Sequence, residues 1–306
     1  MTSTQKDLDM ALAESSVSLF REMVAYEALW SAHSASLKSI AEKFARRDLL
    51  PSELLAETAG PIGLESMTKP VAEFLTGKHG YSVLLSACFQ YPQRLKDARH
   101  PVELLYYRGD IGLLESHAVA VVGARNCSEE GKAIAARISR TLVKHHYTVS
   151  SGLAHGVDTA AMEAALDAGG RVIGVIGTPI DECYPKENRQ LQDAIGRDNL
   201  LVSHVPFYRY HHEPFQARRF HFPIRNAVMA AVSDATVIVE ASDRSGSLTQ
   251  ARACIEQNRL LFITENCLRN PLITWPAKYL AKGAIKVSRP IEIVENLKDR
   301  YGAPLD

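Results

Sequence analysis

From residue 104 onward one pattern repeats, and it leaves few folds open: a short apolar run, an abrupt glycine or polar stop, then a stretch with helical period. Ala118-Val-Ala-Val-Val122 is a compact apolar strand that ends at Gly123-Ala-Arg-Asn126. Glu129 to His146 follows, with Ile134, Ile138 and Leu142 at four-residue steps, the buried stripe of an amphipathic helix. Tyr147 to Ser150 reads as a second strand turned by Ser151-Gly152, and Thr159 to Ala168 as an Ala-rich helix stopped by Gly169-Gly170. Val172 to Ile176, Leu200 to Val202, Thr236 to Val239 and Leu260 to Ile263 read as further strands. Strand, helix and strand at this spacing predict an α/β fold, a doubly wound, mostly parallel sheet with helices on both faces. Ligands of such sheets bind outside the carboxyl ends of the strands, and every polar cluster below falls at such an end.

The first third reads differently. Leu8, Leu12, Val17, Phe20, Val24 and Leu29, then Leu37, Ile40 and Phe44, recur at three- to five-residue steps, and Pro51-Ser52 opens another helical turn. The tract from Gly60 to Gly80, with Pro61, Gly63, Pro70 and Gly77 inside it, signals a boundary, and Tyr81 to Leu85 is apolar. A chain of 306 residues accommodates two domains. The expected division is a small helical accessory region at 1–100 and a nucleotide- or nucleic-acid-binding domain at 101–306.

Hydrophobic residues at 46% and charged residues at 23% exclude a disordered chain. Lysine plus arginine equals aspartate plus glutamate at 35 each, which disfavours a polycation that coats DNA but permits a local basic groove. Cys88, Cys127, Cys183, Cys254 and Cys267 are odd in number and lack metal-ligand spacing, as expected of free thiols in a reducing, cytoplasmic setting without bound metal. The N-terminal residues are too polar for a signal peptide, and no run approaches the 18 apolar residues of a membrane span.

Five clusters carry the candidate chemistry. Gly123-Ala124-Arg125 joins a tight turn to a guanidinium fork suited to phosphate, with the amides of a helix beginning near Ser128 beside it, although a bland turn with a surface arginine has the same sequence. Ser151-Gly152-Leu-Ala-His-Gly156-Val-Asp158 spaces two glycines as in a phosphate-sized concavity, with Asp158 readable as a helix cap. The third loop, Asp181 to Asn188, offers Lys186, while Tyr184-Pro185 suits a structural lid equally well. The fourth places Arg209, His211, His212, Arg218, Arg219 and His221 among Phe207, Tyr208, Tyr210, Phe215, Phe220 and Phe222, then runs into Arg225 and Asn226. Cations for phosphates beside rings for bases suit a single strand. The fifth follows Glu240, where Ser245, Gly246 and Ser247 open a helix; Glu240 itself reads as a group that orients Arg225, a ribose contact or a carboxylate catalyst.

Two nucleotide motifs are excluded. The first turn reads GARNCSEEG in place of G-x-G-x-x-G, and no G-x-x-x-x-G-K-S/T occurs. Neither an NAD dehydrogenase nor a P-loop ATPase fits, and no cofactor is expected.

Taken in order, VAVVGAR at 119–125, SGLAHGVDTAA at 151–161, YPKEN at 184–188, FPIRN at 222–226 and VIVEASDRSGSLTQA at 237–251 resemble the DNA-processing protein A, or Smf, family. LLYYRGD at 104–110 and LITWPAKYLAKGA at 272–284 extend the likeness to roughly residues 100–295. The resemblance implies an extended Rossmann-like domain that is not an enzyme, binds single-stranded DNA by its phosphates, forms homodimers, and protects incoming strands and loads recombinase onto them in natural transformation and DNA recombination. By position it places Gly123, Arg125, Gly152, Gly156, Arg225, Asn226, Ser245 and Gly246 on DNA, beside Ser151, Lys186, Arg218 and Arg219 from the loop readings. The chain departs from the family at Ala227 (commonly arginine), His204 (usually glutamate) and Glu265-Asn266 (usually Pro-Gly), and shows neither a winged-helix pattern after Leu297 nor a helix-hairpin-helix glycine motif in residues 1–60. Two alternatives stand beside it. One is a nucleotide sensor or phosphoribohydrolase-like enzyme with Glu240 as carboxylate and Arg225 as phosphate clamp, although the Pro-Gly-Gly-x-Gly-Thr loop of such enzymes is missing. The other is a structural partner-binding protein in defence against foreign DNA.

Overall fold

The computed structural model describes residues 17–45, 49–88 and 91–304. Leu8 and Leu12 of the first apolar series lie outside them. The described residues fall into two compact units divided between Lys78 and His79.

In the first unit, helices α1 (Leu19–Ser31), α2 (Leu37–Phe44) and α3 (Pro51–Leu75) follow the apolar spacing. Ser18 caps α1 by accepting from the Arg21 amide, and Ser36 and Ser39 form a reciprocal capping box on α2. Glu22 is buried on α1, and its carboxylate accepts both the amide and the hydroxyl of Ser52 at 2.8 Å, satisfying a free donor at the start of α3. The Gly60 to Gly80 tract, expected to be a boundary, is mostly helix. Gly60 takes φ 65° at a kink, and the chain resumes as helix with a proline in the first turn, where no amide hydrogen is needed.

The second unit is built on a nine-stranded sheet of order β1-β2-β6-β5-β4-β3-β7-β8-β9. The strands are β1 (Ser82–Leu85), β2 (Leu104–Gly109), β3 (Ala118–Val122), β4 (Thr148–Ser151), β5 (Val172–Ile176), β6 (Leu200–Ser203), β7 (Ala235–Ile238), β8 (Leu260–Thr264) and β9 (Ile285–Val287). From β6 to β9 all pairs are parallel, while β1 and β2 add an antiparallel edge. Because Ser82 to Leu85 pairs with Leu104 to Tyr107, residues 79–100 go with the sheet, and the helical region ends about twenty residues before the expected boundary. An amphipathic pattern cannot reveal a four-residue edge strand, whose partner is set by tertiary pairing.

The longer helices of this unit are α4 (Glu129–Lys144), α5 (Val157–Asp167), α6 (Arg189–Asp198), α7 (His221–Ala231), α8 (Ser247–Glu256) and α9 (Ile291–Tyr301). Strands β3 and β5 are buried along their whole length, as an all-apolar strand covered on both faces must be. Each fully buried valine contributes about 1.5–3 kcal/mol. On α4, Ala135, Ile138 and Leu142 face the core, while Ile134 is half-buried at its margin. No helix among the described residues is long and apolar enough to cross a membrane.

Candidate functional site

The strand order runs outward from β3 in one direction through β4, β5 and β6, and from β7 in the other through β8 and β9. Connections on the two sides leave the sheet in opposite directions, so the turns after β3 and β7 part and open a crevice. A cleft of about 500 Å³ occupies that place. Gly123, Ala124, Arg125 and Asn126 line it from the turn after β3, and Glu240, Ala241 and Ser242 from the turn after β7. Ser245, Gly246, Ser247 and Gln250 come from the start of α8, and Phe222, Arg225, Asn226 and Met229 from α7.

Of the sequence-derived candidates, Gly123, Arg125, Arg225, Asn226, Ser245 and Gly246 meet at this cleft. Gly152 lines a small adjoining recess with Arg125, His155, Tyr184, Phe222 and Arg225. Ser151, Gly156, Lys186, Arg218 and Arg219 line neither. Ser151 is buried and donates its hydroxyl to the carbonyl of Val121 at 2.8 Å, while Lys186 and Arg219 are exposed.

Arg225 stands differently from a free phosphate clamp. It is only 6% exposed, its Nη1 donates to the carbonyls of Gly152 and Val175, and its Nε donates to Asn226 Oδ1 at 3.0 Å. The nearby charge that balances it is buried Asp158, whose carboxylate accepts the amides of Gly123, Gly152 and Ala154. Burial is the larger influence on both groups, raising the Asp158 carboxyl above its ordinary value and lowering the Arg225 guanidinium, while the charge of each partner opposes the shift. Removing either charge leaves the other buried with its counter-charge gone.

The glycines serve the same internal arrangement. A side chain at Gly152 would put Cβ 1.8 Å from Arg225 Nη1, and one at Gly156, where φ is 78°, would put it 2.4 Å from the carbonyl oxygens of Ala124 and Arg125. Their lack of a side chain therefore admits other parts of the protein, where the sequence suggested room for a phosphate. Asn188 of the YPKEN loop ties this layer down, donating to the Leu153 carbonyl at 2.9 Å and to Thr159 Oγ1 at 2.8 Å.

The expected anion seat at the start of α4 is also altered. The Glu240 carboxylate accepts the Ser128 amide at 3.2 Å and the Ser128 hydroxyl at 2.7 Å, and Ser128 Oγ accepts from Gly131. With Glu129 and Glu130 in the first turn, that helix end is already supplied with negative charge. Glu240 thus holds the start of α4, a role the sequence did not suggest, and its hydrogen bonds go to Ser128 where the sequence offered Arg225.

Arg125 stands outside this network. It is exposed, forms no ion pair among the described residues, and lies over the rings of Phe222 and Tyr184 at 5.7 and 5.9 Å. Sequence reading took Tyr184 for a lid and missed this contact, since rings 38 residues apart give no local signal. The amides of Arg125, Asn126 and Gly246 donate to no protein acceptor among the described residues. Gly246 carries open space where a side chain would stand, and its carbonyl accepts a hydrogen bond from Asn226 Nδ2 at 3.1 Å. Ser247 Oγ joins the two turns by donating to the Gly123 carbonyl at 2.9 Å. Among the described residues, no group of three or more histidine, cysteine or acidic side chains is placed to hold a metal ion.

A doubly wound sheet with an arginine and unpaired amides at its switch point defines a Rossmann-like protein with an anion-receptive cleft. Comparison then gives its kinship: the chain belongs to the family described as DNA recombination-mediator protein A, whose model matches residues 82–298. It is 30% identical over 224 residues to DNA processing protein DprA of Bacillus subtilis, covering 73% of each chain. It is 41% identical over 172 residues to the Streptococcus pneumoniae protein of the same name, covering 56% of this chain and 58% of that one. The solved structure of the S. pneumoniae protein overlays with a TM-score of 0.74 at 29% identity, covering 90% of this chain and 97% of that chain. The Helicobacter pylori DNA processing protein A, whose structure reveals a unique single-stranded DNA binding mode, overlays at 0.61 with 27% identity, covering 72% and 97%.

Proposed function

We propose that this protein binds single-stranded DNA, holding the backbone phosphates in the cleft between the turns after β3 and β7, and that it acts by binding. The observation that carries the reading is Arg125: an exposed guanidinium with no carboxylate partner among the described residues, at the mouth of the cleft with rings on its flank. Arg225 and Asp158 shape the cleft from within, and the free amides of Arg125, Asn126 and Gly246 supply neutral donors to an anion. The single-stranded DNA binding of the H. pylori relative agrees with this assignment.

Hydrolysis of a nucleotide is less well supported. It needs a carboxylate free to act, whereas Glu240 is held by Ser128, and Asp158 is buried and accepts three amides. The finer reading follows from kinship: the protein shields the strand in DNA recombination and transformation, works as a homodimer, and helps load a recombinase.

The test is binding of a fluorescent single-stranded oligonucleotide across a salt series. Substituting Arg225 would disturb the fold, so Arg125→Ala is the informative variant. It should weaken binding while its melting temperature stays unchanged, and lower the slope of log affinity against log salt by about 1. An unchanged slope and affinity would remove Arg125 from the interface and with it the carrying observation. Sedimentation of the full chain tests the homodimer, and recombinase filament formation on protein-coated strands tests loading.

A further inference from the structure

The 207–222 segment was read from sequence as one mixed tract of cations and rings, and the structure sorts those rings into two kinds. Phe207 and Tyr210 are buried core residues, and Phe207 packs against Tyr81 and Tyr106 at 5.0 and 4.9 Å. Phe215 and Phe220, by contrast, are 81% and 61% exposed, among the most exposed large apolar side chains of the protein. They flank Arg218 and Arg219, neither of which has an ion-pair partner among the described residues. The Arg219 guanidinium lies 5.5 Å from the centre of the Phe220 ring, and that of Arg218 lies 4.7 Å from the ring of Tyr210. The carboxylate of the segment, Glu213, is taken up by His221 at 2.7 Å and Arg209 at 3.5 Å, which leaves the ridge cationic.

We infer that Phe215 and Phe220 form a base-stacking platform beside the cleft, on which the unpaired bases of a strand held at Arg125 are laid. This deepens, and rests on, the single-stranded DNA reading. Phe220 lies two residues from Phe222, which lines the cleft, so their Cα atoms are at most about 7 Å apart. Arg219, exposed and with its guanidinium beside the Phe220 ring, offers a cation to a phosphate of the same strand. Exposed rings cost apolar surface in water when nothing covers them, and an isolated one is ordinary on a protein surface. Arg218 turns inward onto Tyr210 and the His211 carbonyl, while Arg219 is exposed without a carboxylate partner among the described residues. Two rings bracketing these two arginines match what a single strand presents, a π-face on each base and a charge on each phosphate. A duplex hides its base faces, so the platform selects unpaired strands.

The experiment compares an oligothymidylate of 20 nucleotides with an abasic oligonucleotide of equal length, which keeps the phosphates and lacks the bases. The full-length wild type, Phe215→Ala/Phe220→Ala and Arg125→Ala are each measured at one low salt concentration. Stacking predicts that the wild type binds the base-bearing strand about tenfold or more tighter than the abasic one. The double phenylalanine variant should lose that preference yet bind the abasic strand as the wild type does, with an unchanged melting temperature. Arg125→Ala should weaken both strands and keep the preference. The inference is overturned if the double variant retains the wild-type preference, or if wild type itself binds both strands equally. It is also overturned if the double variant binds both as wild type does but shifts from dimer to monomer in sedimentation, which makes the ridge a surface for a second copy of the chain. Absence of binding to either strand by wild type would fail the single-stranded DNA reading itself, an outcome distinct from equal binding to both.

Discussion

Gly152→Ala is the substitution that best separates a glycine serving the fold from one serving a ligand. The ideal Cβ would stand 1.8 Å from Arg225 Nη1, 2.4 Å from Cζ and 2.7 Å from Nη2. A guanidinium fixed by the carbonyls of Gly152 and Val175 cannot accept that contact, and has to withdraw by an ångström or more. Its two carbonyl bonds are then lost, at about 1.5–3 kcal/mol each for a charged donor, and Asp158 is left buried beside a displaced cation. These losses overlap, so the whole cost is about 3–5 kcal/mol, that of the two charge-assisted carbonyl bonds. For a unit of this size each kcal/mol moves the melting temperature by about 2–4 °C, so the expected fall is about 6–20 °C. Gly246→Ala is the control: it also borders the cleft, its φ is −60°, and nothing lies within 4 Å of the added methyl, so its melting temperature should stay within about 2 °C of wild type. Circular dichroism melts of the three proteins decide the matter. If Gly152→Ala melts with the wild type, or if both alanine variants fall together, the account of Arg225 as an internal brace is wrong.

Three further outcomes follow from the same geometry. Glu240→Gln should destabilise the protein by about 1 kcal/mol through weaker hold on Ser128, seen in a urea titration, while oligonucleotide affinity stays level or improves because a negative charge leaves the cleft; a large loss of affinity would instead show that the carboxylate contacts the ligand. Asn188→Ala should cost about 1–3 kcal/mol in the same titration, since Thr159 and the Leu153 carbonyl lose a buried partner, and wild-type stability would dismiss the clamp. Burial pushes the Cys254 thiol up to about 12 and raises Cys267 as well, so both stay protonated at pH 8 and should escape maleimide in the native state. The half-buried Cys88, Cys127 and Cys183 should be the ones labelled, the latter two faster as pH rises toward their raised values; mass spectrometry showing early modification of Cys254 would contradict the packing of α8 on the sheet.

What could be read from sequence depended on the range of the interaction. The six strands β3 to β8 were legible because a strand covered on both faces must be apolar throughout, and Ala118 to Val122 meets that condition without help from its partners. Strand β9 was not legible: Ile285-Lys286-Val287 is three residues long, and Lys286 is exposed at a sheet edge, where charge is tolerated. Helix α7 was hidden for another reason. Its first turn contains Phe222-Pro-Ile, which reads as a loop until the proline is placed where a helix needs no amide hydrogen.

The site shows the same division more sharply. The strand-end rule located the cleft correctly, since it depends on chain direction and strand order. The roles of individual residues depended on contacts across tens of positions: Gly152 on Arg225, Gly156 on Ala124, and Glu240 on Ser128. A glycine-rich loop and an arginine suggest a phosphate cradle in any sequence, but here much of that chemistry is satisfied within the protein. Asp158 occupies the amides, and Arg225 occupies the space over Gly152. An anion-receptive cleft need not leave all its donors open. Pairing most of them holds the cleft in shape, and Arg125, outside that network, is the cation that the proposed binding leaves to meet a phosphate.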